Sequence, residues 1–426
     1  MLTTLTISLV VCLLLGVPVA FALGLAGMAA VLISDSIPLV VVAQKFYASL
    51  DSFPLLAIPL FIYAGAVMNE GGITVRIVRL AKALVGHLRG GLGQVAVLTS
   101  AIFASISGSA SATAAAVGSM LLPTMRNEGY DPPYSVVVVA SAAILGPIIP
   151  PSILMVIFSS MTGESVGKLF IAGLLPGVLI TLVLMGMVWG LAGRMGAKAE
   201  RRASAREVGQ AFVQAIPALV MPLIIILGIL TGVFTATEAG VIAVAYGIVY
   251  GLVTKELSLR MLARQTLASA VVSSSILIIL GGAALVSWLI SREGVPVQLA
   301  ALIQQWVASK EGFLVLLLIL LFVVGIFIEP IPAMIMLVPV LLPISNAYGI
   351  DPAHFAVILT VGTLLGSLSP PIAVLVMIAA KVGKIDYTRT NRPLIPMFIA
   401  LNVTLVVIAF VPGLSTVLPR WLGFAA

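Results

Sequence analysis

Long apolar runs separated by short polar or basic stretches set the pattern of this chain. The runs fall at about 3–33, 54–69, 92–122, 134–162, 169–193, 213–231, 235–253, 266–290, 313–345, 353–380 and 393–412. A helix needs roughly 20 residues to cross the hydrocarbon of a bilayer, so most runs predict one membrane span each. The first is too long for one upright helix, and Gly16-Val17-Pro18 divides it into two short ones. The runs 92–122 and 313–345 are also too long for one span and carry small or helix-breaking residues midway. They predict re-entrant hairpins, which enter and leave on the same side. Two amphipathic stretches, at about 73–89 and 296–310, precede the hairpins, and the first places Ile73, Ile77, Leu80, Leu84 and Leu88 near one face. Such helices lie in the interface plane, as simple anchors or as arms joining a moving part to a fixed one.

The pattern occurs twice. A shift of 220 residues brings Pro123 onto Pro343, Gly129 and Asp131-Pro132 onto Gly349 and Asp351-Pro352, Gly146 onto Gly366, and Pro150-Pro151 onto Pro370-Pro371. The break at Gly16–Pro18 then falls near Thr235–Glu238, a turn between two spans. The expected fold is an all-α polytopic membrane protein built as two repeats, residues 1–206 and 207–426. Each holds five spans and one hairpin. The hairpins cover about 92–122 and 313–345, and each is followed by a broken helix, 134–162 and 353–380. Five spans per repeat is an odd number, so the repeats have opposite topology, the pattern of many secondary transporters.

Composition agrees with the membrane. The chain is 61% hydrophobic and 9% charged, against about 25% charged in soluble domains. One cysteine, Cys12, excludes a disulfide framework and a thiolate metal site. His87 and His354 lie far apart and outside the apolar cores, which argues against a histidine metal site. A net charge of +7 raises nucleic acid as a partner, but the positive residues fall between the apolar runs. With the first hairpin opening to the cytoplasm, 17 of the 22 Lys and Arg residues sit in cytoplasmic loops and five (Lys45, Lys168, Arg292, Lys310 and Arg420) outside. That is a positive-inside bias, and it makes the lipid bilayer, not nucleic acid, the partner of these charges. The N-terminus shows neither a basic region nor a small-residue cleavage site, so no removable signal peptide is expected.

Chemistry concentrates at the hairpin tips and helix breaks. The first tip carries Ser105, Ser107, Ser109, Ser111 and Thr113 around Gly108, with no Lys, Arg, Asp or Glu between 90 and 125. A cation there would be held by hydroxyls, carbonyls and helix C-terminal dipoles. The competing explanation is close helix packing through small residues. In the break Gly146–Ser152, Pro150 and Pro151 lack N–H donors and free carbonyls one turn earlier. Ser152 is placed to cap the half-helix beyond, whose N-terminus would face an anion. The second tip reads Glu329-Pro330-Ile331-Pro332, with Glu329 opposite Ser109, and Gly366-Ser367-Leu368-Ser369-Pro370-Pro371 is the matching break. A carboxylate at mid-depth is costly and marks function, although capping is an equal rival for Glu329. Thr235-x-x-Glu238 has the spacing of a capping box.

These residues resemble a known family. The S-G-S-x-x-A-T tip at 107–113, L-L-P-T-M at 121–125, the G-Y turn at 129–130 and G-P-I-I-P-P-S at 146–152 look like the large membrane subunit of tripartite ATP-independent periplasmic (TRAP) transporters, over essentially the whole chain. The resemblance implies an elevator-type fold of the ion transporter superfamily and Na⁺-coupled uptake of a small organic anion, a C4-dicarboxylate, sialic acid or another carboxylate. It implies no catalytic residues and no cofactor beyond Na⁺ as coupling ion. Its implied partners are a separate small four-helix membrane subunit and a periplasmic substrate-binding protein, in the bacterial cytoplasmic membrane. One Na⁺ position would use Ser107, Ser109, Thr113, Gly146 and Pro150. The other would use Glu329, Pro332, Gly366, Ser369 and Pro370. Substrate would sit near Ser109, Ser111, Ser152 and Ser367. A transporter of the same superfamily that needs no binding protein is the alternative. An intramembrane serine hydrolase would need a nearby base, and neither histidine nor any lysine lies in the core stretches. A scaffolding subunit would leave the repeated breaks without a purpose.

Overall fold

The structure, a computed structural model, describes residues 1–34, 37–370 and 372–424; Pro371 of the second break lies outside the described residues. The first part of the chain holds α1 (Leu2–Leu14), α2 (Val19–Leu32), α3 (Val40–Leu50), α4 (Ala57–Glu70), α5 (Ile73–Val85), α6 (Leu92–Ser107), α7 (Ala110–Asn127), α8 (Pro132–Ala143), α9 (Ile153–Thr162) and α10 (Val166–Leu191). The rest of the chain holds α11 (Ala205–Leu230), α12 (Ala236–Val253), α13 (Leu259–Arg292), α14 (Val295–Trp306), α15 (Lys310–Phe327), α16 (Pro330–Ala347), α17 (Pro352–Gly366), α18 (Val374–Gly383), α19 (Asn391–Phe410) and a short closing α20 (Gly413–Trp421). Among the described residues eight helices are long and apolar enough to cross a membrane.

The long first run splits at Leu15–Pro18 into α1 and α2, each shorter than a full span, which pack on each other. The 34-residue α13 occupies the positions of both α3 and α4, which are parted by a 3₁₀ turn at Phe53–Leu56. Both hairpin runs break at the expected tips, at Gly108–Ser109 and Ile328–Glu329.

Local chemistry explains why the two halves of the chain share these breaks. After each hairpin the chain turns through a glycine with positive φ, Gly129 (83°) or Gly349 (66°). An aspartate then caps the next helix and a proline occupies its first position. Asp131 accepts from Tyr134 N at 3.1 Å, and Asp351 accepts from Ala353 N at 2.8 Å and His354 N at 3.2 Å. Proline is tolerated there because its missing N–H would be unpaired in any case. A tyrosine closes the base of each hairpin. Tyr130 accepts from Leu92 N (3.0 Å) and donates to Lys198 O (3.2 Å), and Tyr348 donates to Val307 O (2.6 Å). Burial pushes the Tyr130 phenol above its ordinary range, which keeps it a neutral donor. The Thr235–Glu238 capping box forms, with both reciprocal bonds present.

The helices form two groups. In the first, α2 and α3 lie against α13, α4 against α12 and α13, and α11 against α12. In the second the repeats interlock: the returning hairpin helix α7 packs on α18, and α16 packs on α9. The amphipathic α5 bridges the groups, touching α11 on one side and α6 on the other. Its buried face is Ile73, Thr74, Ile77, Leu80 and Ala81, whereas Leu84 and Leu88 are exposed. The expected stripe is therefore shorter than its apolar spacing implied: Leu88 lies beyond the helix end at Val85, and Leu84, in the last turn, is left uncovered. Arg76 holds α5 in place by donating to both Glu256 oxygens at 2.9 and 3.2 Å. His354, expected outside the apolar core, is buried, with its ring nitrogens at 3.3 Å from Ser415 Oγ and 3.1 Å from Ala409 O. The closing α20 supplies Ser415 and covers the histidine.

Candidate functional site

The two hairpin tips and the two helix breaks meet at one cavity of about 90 Å³. Its lining includes the first turns of four helices: Ala110 and Ser111 of α7, Ile153 and Leu154 of α9, Pro330 and Ile331 of α16, and Val374 and Leu375 of α18. The first N–H groups of a helix have no intrahelical partner, and each N-terminus carries the equivalent of roughly +0.5 elementary charge. Four such ends around one small volume favour an anion. Sequence reasoning foresaw this for the half-helices beyond the breaks. It missed that α9 and α18 contribute through apolar residues whose backbones, not side chains, carry the polarity.

One wall of the cavity leads to a cluster of oxygens. Thr113 Oγ1 donates to Ser109 O at 2.8 Å, Ser107 Oγ donates to the same carbonyl at 3.1 Å, and the two hydroxyl oxygens are 3.0 Å apart. Ser107 and Thr113 are buried. Gly146 presses against this cluster: a Cβ there would lie 2.7 Å from Ser109 O and 2.9 Å from Thr113 Oγ1. Among the described residues no hydrogen bond reaches the carbonyls of Gly146 or Pro150. Gly108 makes the arrangement possible. Its φ of +59° turns the tip, and a side chain there would meet Pro151 O at 2.8 Å. The structure thus brings Ser107, Ser109, Thr113 and Gly146 into contact around a group of oxygen ligands suited to a hard monovalent cation.

The second set behaves differently. Glu329 lines the central cavity with Ser367. It is exposed rather than buried, and its side chain makes no capping bond although it is the N-cap residue of α16. The expected mid-depth burial fails because the hairpin tip opens onto the cavity. Pro332 is buried in the first turn of α16. Gly366 meets the Gly325 backbone, where an added Cβ would lie 2.2 Å from the Gly325 Cα. Ser369 Oγ donates to Leu365 O at 3.3 Å, and Pro370 is exposed. Among the described residues a single backbone bond joins any of these five, from Ser369 N to Gly366 O at 2.8 Å, and no side-chain hydrogen bond does.

Of the substrate candidates, Ser109, Ser111 and Ser367 line the cavity. Ser152 does not. It is fully buried, accepts from Met155 N at 3.3 Å as the cap of α9, and donates to Pro147 O. A cleft of about 470 Å³ shares Ser109, Ser111, Ile153 and Ile331 with the cavity and extends between α7 and the helices α4 and α13. Asn69, Gln265 and Ser269 add polar groups to it. Gln265 and Ser269 lie four residues apart on one face of α13, a polar pair at the start of an apolar run that sequence reasoning passed over.

A polytopic helical protein whose two hairpins and two broken helices enclose a dipole-lined cavity belongs among membrane transport proteins, not enzymes. The comparisons narrow the class. The sequence profile of the tripartite ATP-independent periplasmic transporter, DctM component, matches residues 6–414, and the chain belongs to this family. The 2,3-diketo-L-gulonate TRAP transporter large permease protein YiaN of Escherichia coli is 36% identical over 96% of each chain. The C4-dicarboxylate TRAP transporter large permease protein DctM of Rhodobacter capsulatus is 34% identical over 97% of this chain and 98% of its own. The crystal structure of the Alcanivorax borkumensis YdaH transporter shares the fold, with a TM-score of 0.62 and 17% identity over 87% of each chain.

Proposed function

We propose that this large permease imports a small organic anion, a C4-dicarboxylate, sialic acid or related carboxylate, together with Na⁺. In this proposal a periplasmic binding protein delivers the anion, and a small four-helix membrane subunit completes the transporter in the bacterial inner membrane. The convergence of four helix N-termini on the central cavity carries the proposal. The only charged side chain lining that cavity, among the described residues, is the carboxylate of Glu329. An anion held there needs positive charge from backbone dipoles and from bound cations. The oxygens of Ser107, Ser109 and Thr113 supply a place for one such cation against the cavity wall. Binding of Na⁺ on the first tip and on the second, around Glu329, would draw both tips toward the anion, and neither ion would be held without the other tip in place. Transport would then follow as the interlocked group of hairpins and broken helices slides past α2–α4 and α11–α13, with α5 and α14 as the connecting arms.

The test is uptake of candidate carboxylates into proteoliposomes holding both membrane subunits, with and without Na⁺ and with and without binding protein. Uptake that requires Na⁺ and binding protein is expected. Equal uptake without Na⁺ would overturn the coupling, and equal uptake without binding protein would point to a transporter working alone.

A further inference from the structure

A second cleft, of about 550 Å³, lies between α3 and α13 on one side and α9 and α16 on the other. Its α3 wall repeats the wall of the first cleft position by position. Lys45, Ala48, Ser49 and Ser52 stand 220 residues before Gln265, Ala268, Ser269 and Val272, which line the cleft beside α7. The two clefts also sit toward opposite ends of α13, one against Gln265–Ile276 and the other against Leu280–Ser291. From Ser269 to Ser287 the helix rises roughly 27 Å, close to a bilayer's hydrocarbon thickness. The clefts are thus one device built twice, on opposite faces.

Their chemistry differs at the matched positions. Gln265 is neutral and its amide donates to Glu70 at 2.8 Å. Lys45 is positive and forms no ion pair among the described residues. Its Nζ rests 5.2 Å from the centroid of the Trp288 ring. Val272 in the first cleft becomes Ser52 in the second, and the hydroxyls of Ser52 and Ser287 make no side-chain hydrogen bond among the described residues. A half-buried ammonium with three donors, beside unengaged hydroxyls and an indole face, matches a small carboxylate.

We infer that this cleft is an outer vestibule which binds the organic anion ahead of the central cavity, with Lys45 as its fixed charge. The inference rests on the transport function proposed above and on the positive-inside orientation. A cation at the outer mouth concentrates anions there, and its absence from the inner cleft leaves nothing comparable to retain them.

Trp288 reports on the site directly. In a variant with Trp189, Trp306 and Trp421 changed to Phe, iodide added outside right-side-out proteoliposomes should quench Trp288. Lys45→Gln, which copies the residue of the inner cleft, should weaken iodide quenching roughly two- to fivefold and leave quenching by neutral acrylamide unchanged. The Arg292 guanidinium, 5.6 Å from the same ring, is common to both proteins. Succinate and N-acetylneuraminate, tested as competing anions, should relieve iodide quenching in the Lys45 protein only. Iodide quenching that is equal in the two proteins would overturn the site. Quenching that neither organic anion relieves would overturn its assignment to carboxylates. An absence of uptake with the quenching behaviour intact would instead sink the transport function and leave the anion site standing.

Discussion

Gly146→Ala is the sharpest probe of the proposed cation site. Gly146 lies outside the positive-φ region, so alanine fits its backbone and the perturbation is steric alone. The new methyl would lie 2.7 Å from Ser109 O and 2.9 Å from Thr113 Oγ1, where ordinary contact begins at 3.4 Å. The carbonyl must therefore retreat by about 0.7 Å from the position it shares with Ser107 and Thr113. Overpacking a tight site costs roughly 1–3 kcal/mol. If that cost falls on the cation-bound arrangement, half-activating Na⁺ rises roughly 5- to 150-fold, at about tenfold per 1.4 kcal/mol. The assay is Na⁺ activation of uptake in proteoliposomes, paired with the Na⁺-induced rise in thermal unfolding temperature, which tracks binding by linkage. Gly118→Ala is the control. It lies in α7, the hairpin helix that carries Thr113, its Cβ would meet nothing nearer than Leu122 Cδ1 at 3.4 Å, and it should leave both readouts unchanged. Normal Na⁺ activation in Gly146→Ala at normal expression would refute the placement of a cation among these oxygens.

Other expectations follow from the same geometry. Thr113→Val keeps the shape of a fully buried side chain but removes its bond to Ser109 O; it should weaken Na⁺ activation while lowering stability by roughly 0.5–1.5 kcal/mol, read from thermal unfolding. Glu329→Gln should leave stability within about 0.5 kcal/mol, because the exposed carboxylate makes no capping bond, and should impair Na⁺-dependent uptake; a large loss of stability with normal uptake would assign it a structural role. Gly366→Ala should abolish folding rather than shift ion affinity, since its Cβ would meet the Gly325 backbone at 2.2 Å, and membrane expression level checks this. Tyr130→Phe strands the buried Leu92 N–H and should cost roughly 1–3 kcal/mol in denaturation, with transport kinetics otherwise preserved.

Much of the backbone plan was legible because backbone constraints write themselves into residue types. A chain that must turn through positive φ, cap a helix and restart it spells Gly-x-Asp-Pro, and it does so at 129–132 and again at 349–352. The hairpin tips and the division of the first apolar run were visible for the same reason. The site was legible only where side chains make it. The hydroxyls of Ser107 and Thr113 announced themselves, but Ile153, Leu154, Val374 and Leu375 contribute N–H groups that any residue could supply. Ser152 was legible as a cap, and capping is what occupies its oxygen. The role of Glu329 depends on how far a loop tip opens, which no spacing rule reports.

The repeat also shows where symmetry stops. The turns and breaks recur in both halves of the chain, and tips and breaks from both line the same cavity. Two departures line the cavity and the clefts: Ser109 against Glu329 at the tips, and Gln265 against Lys45 on the cleft walls. Even the matched glycines differ in what they touch, a carbonyl oxygen for Gly146 and a Cα for Gly366. A symmetric frame by itself gives no preference for direction. In this chain the positive side chain on one cleft wall, answered by a tethered neutral amide on the other, supplies a local difference between the two faces. Under the proposed function that difference would act on the anion's approach and release, and the thermodynamic drive would come from the ion gradient coupled at the tips.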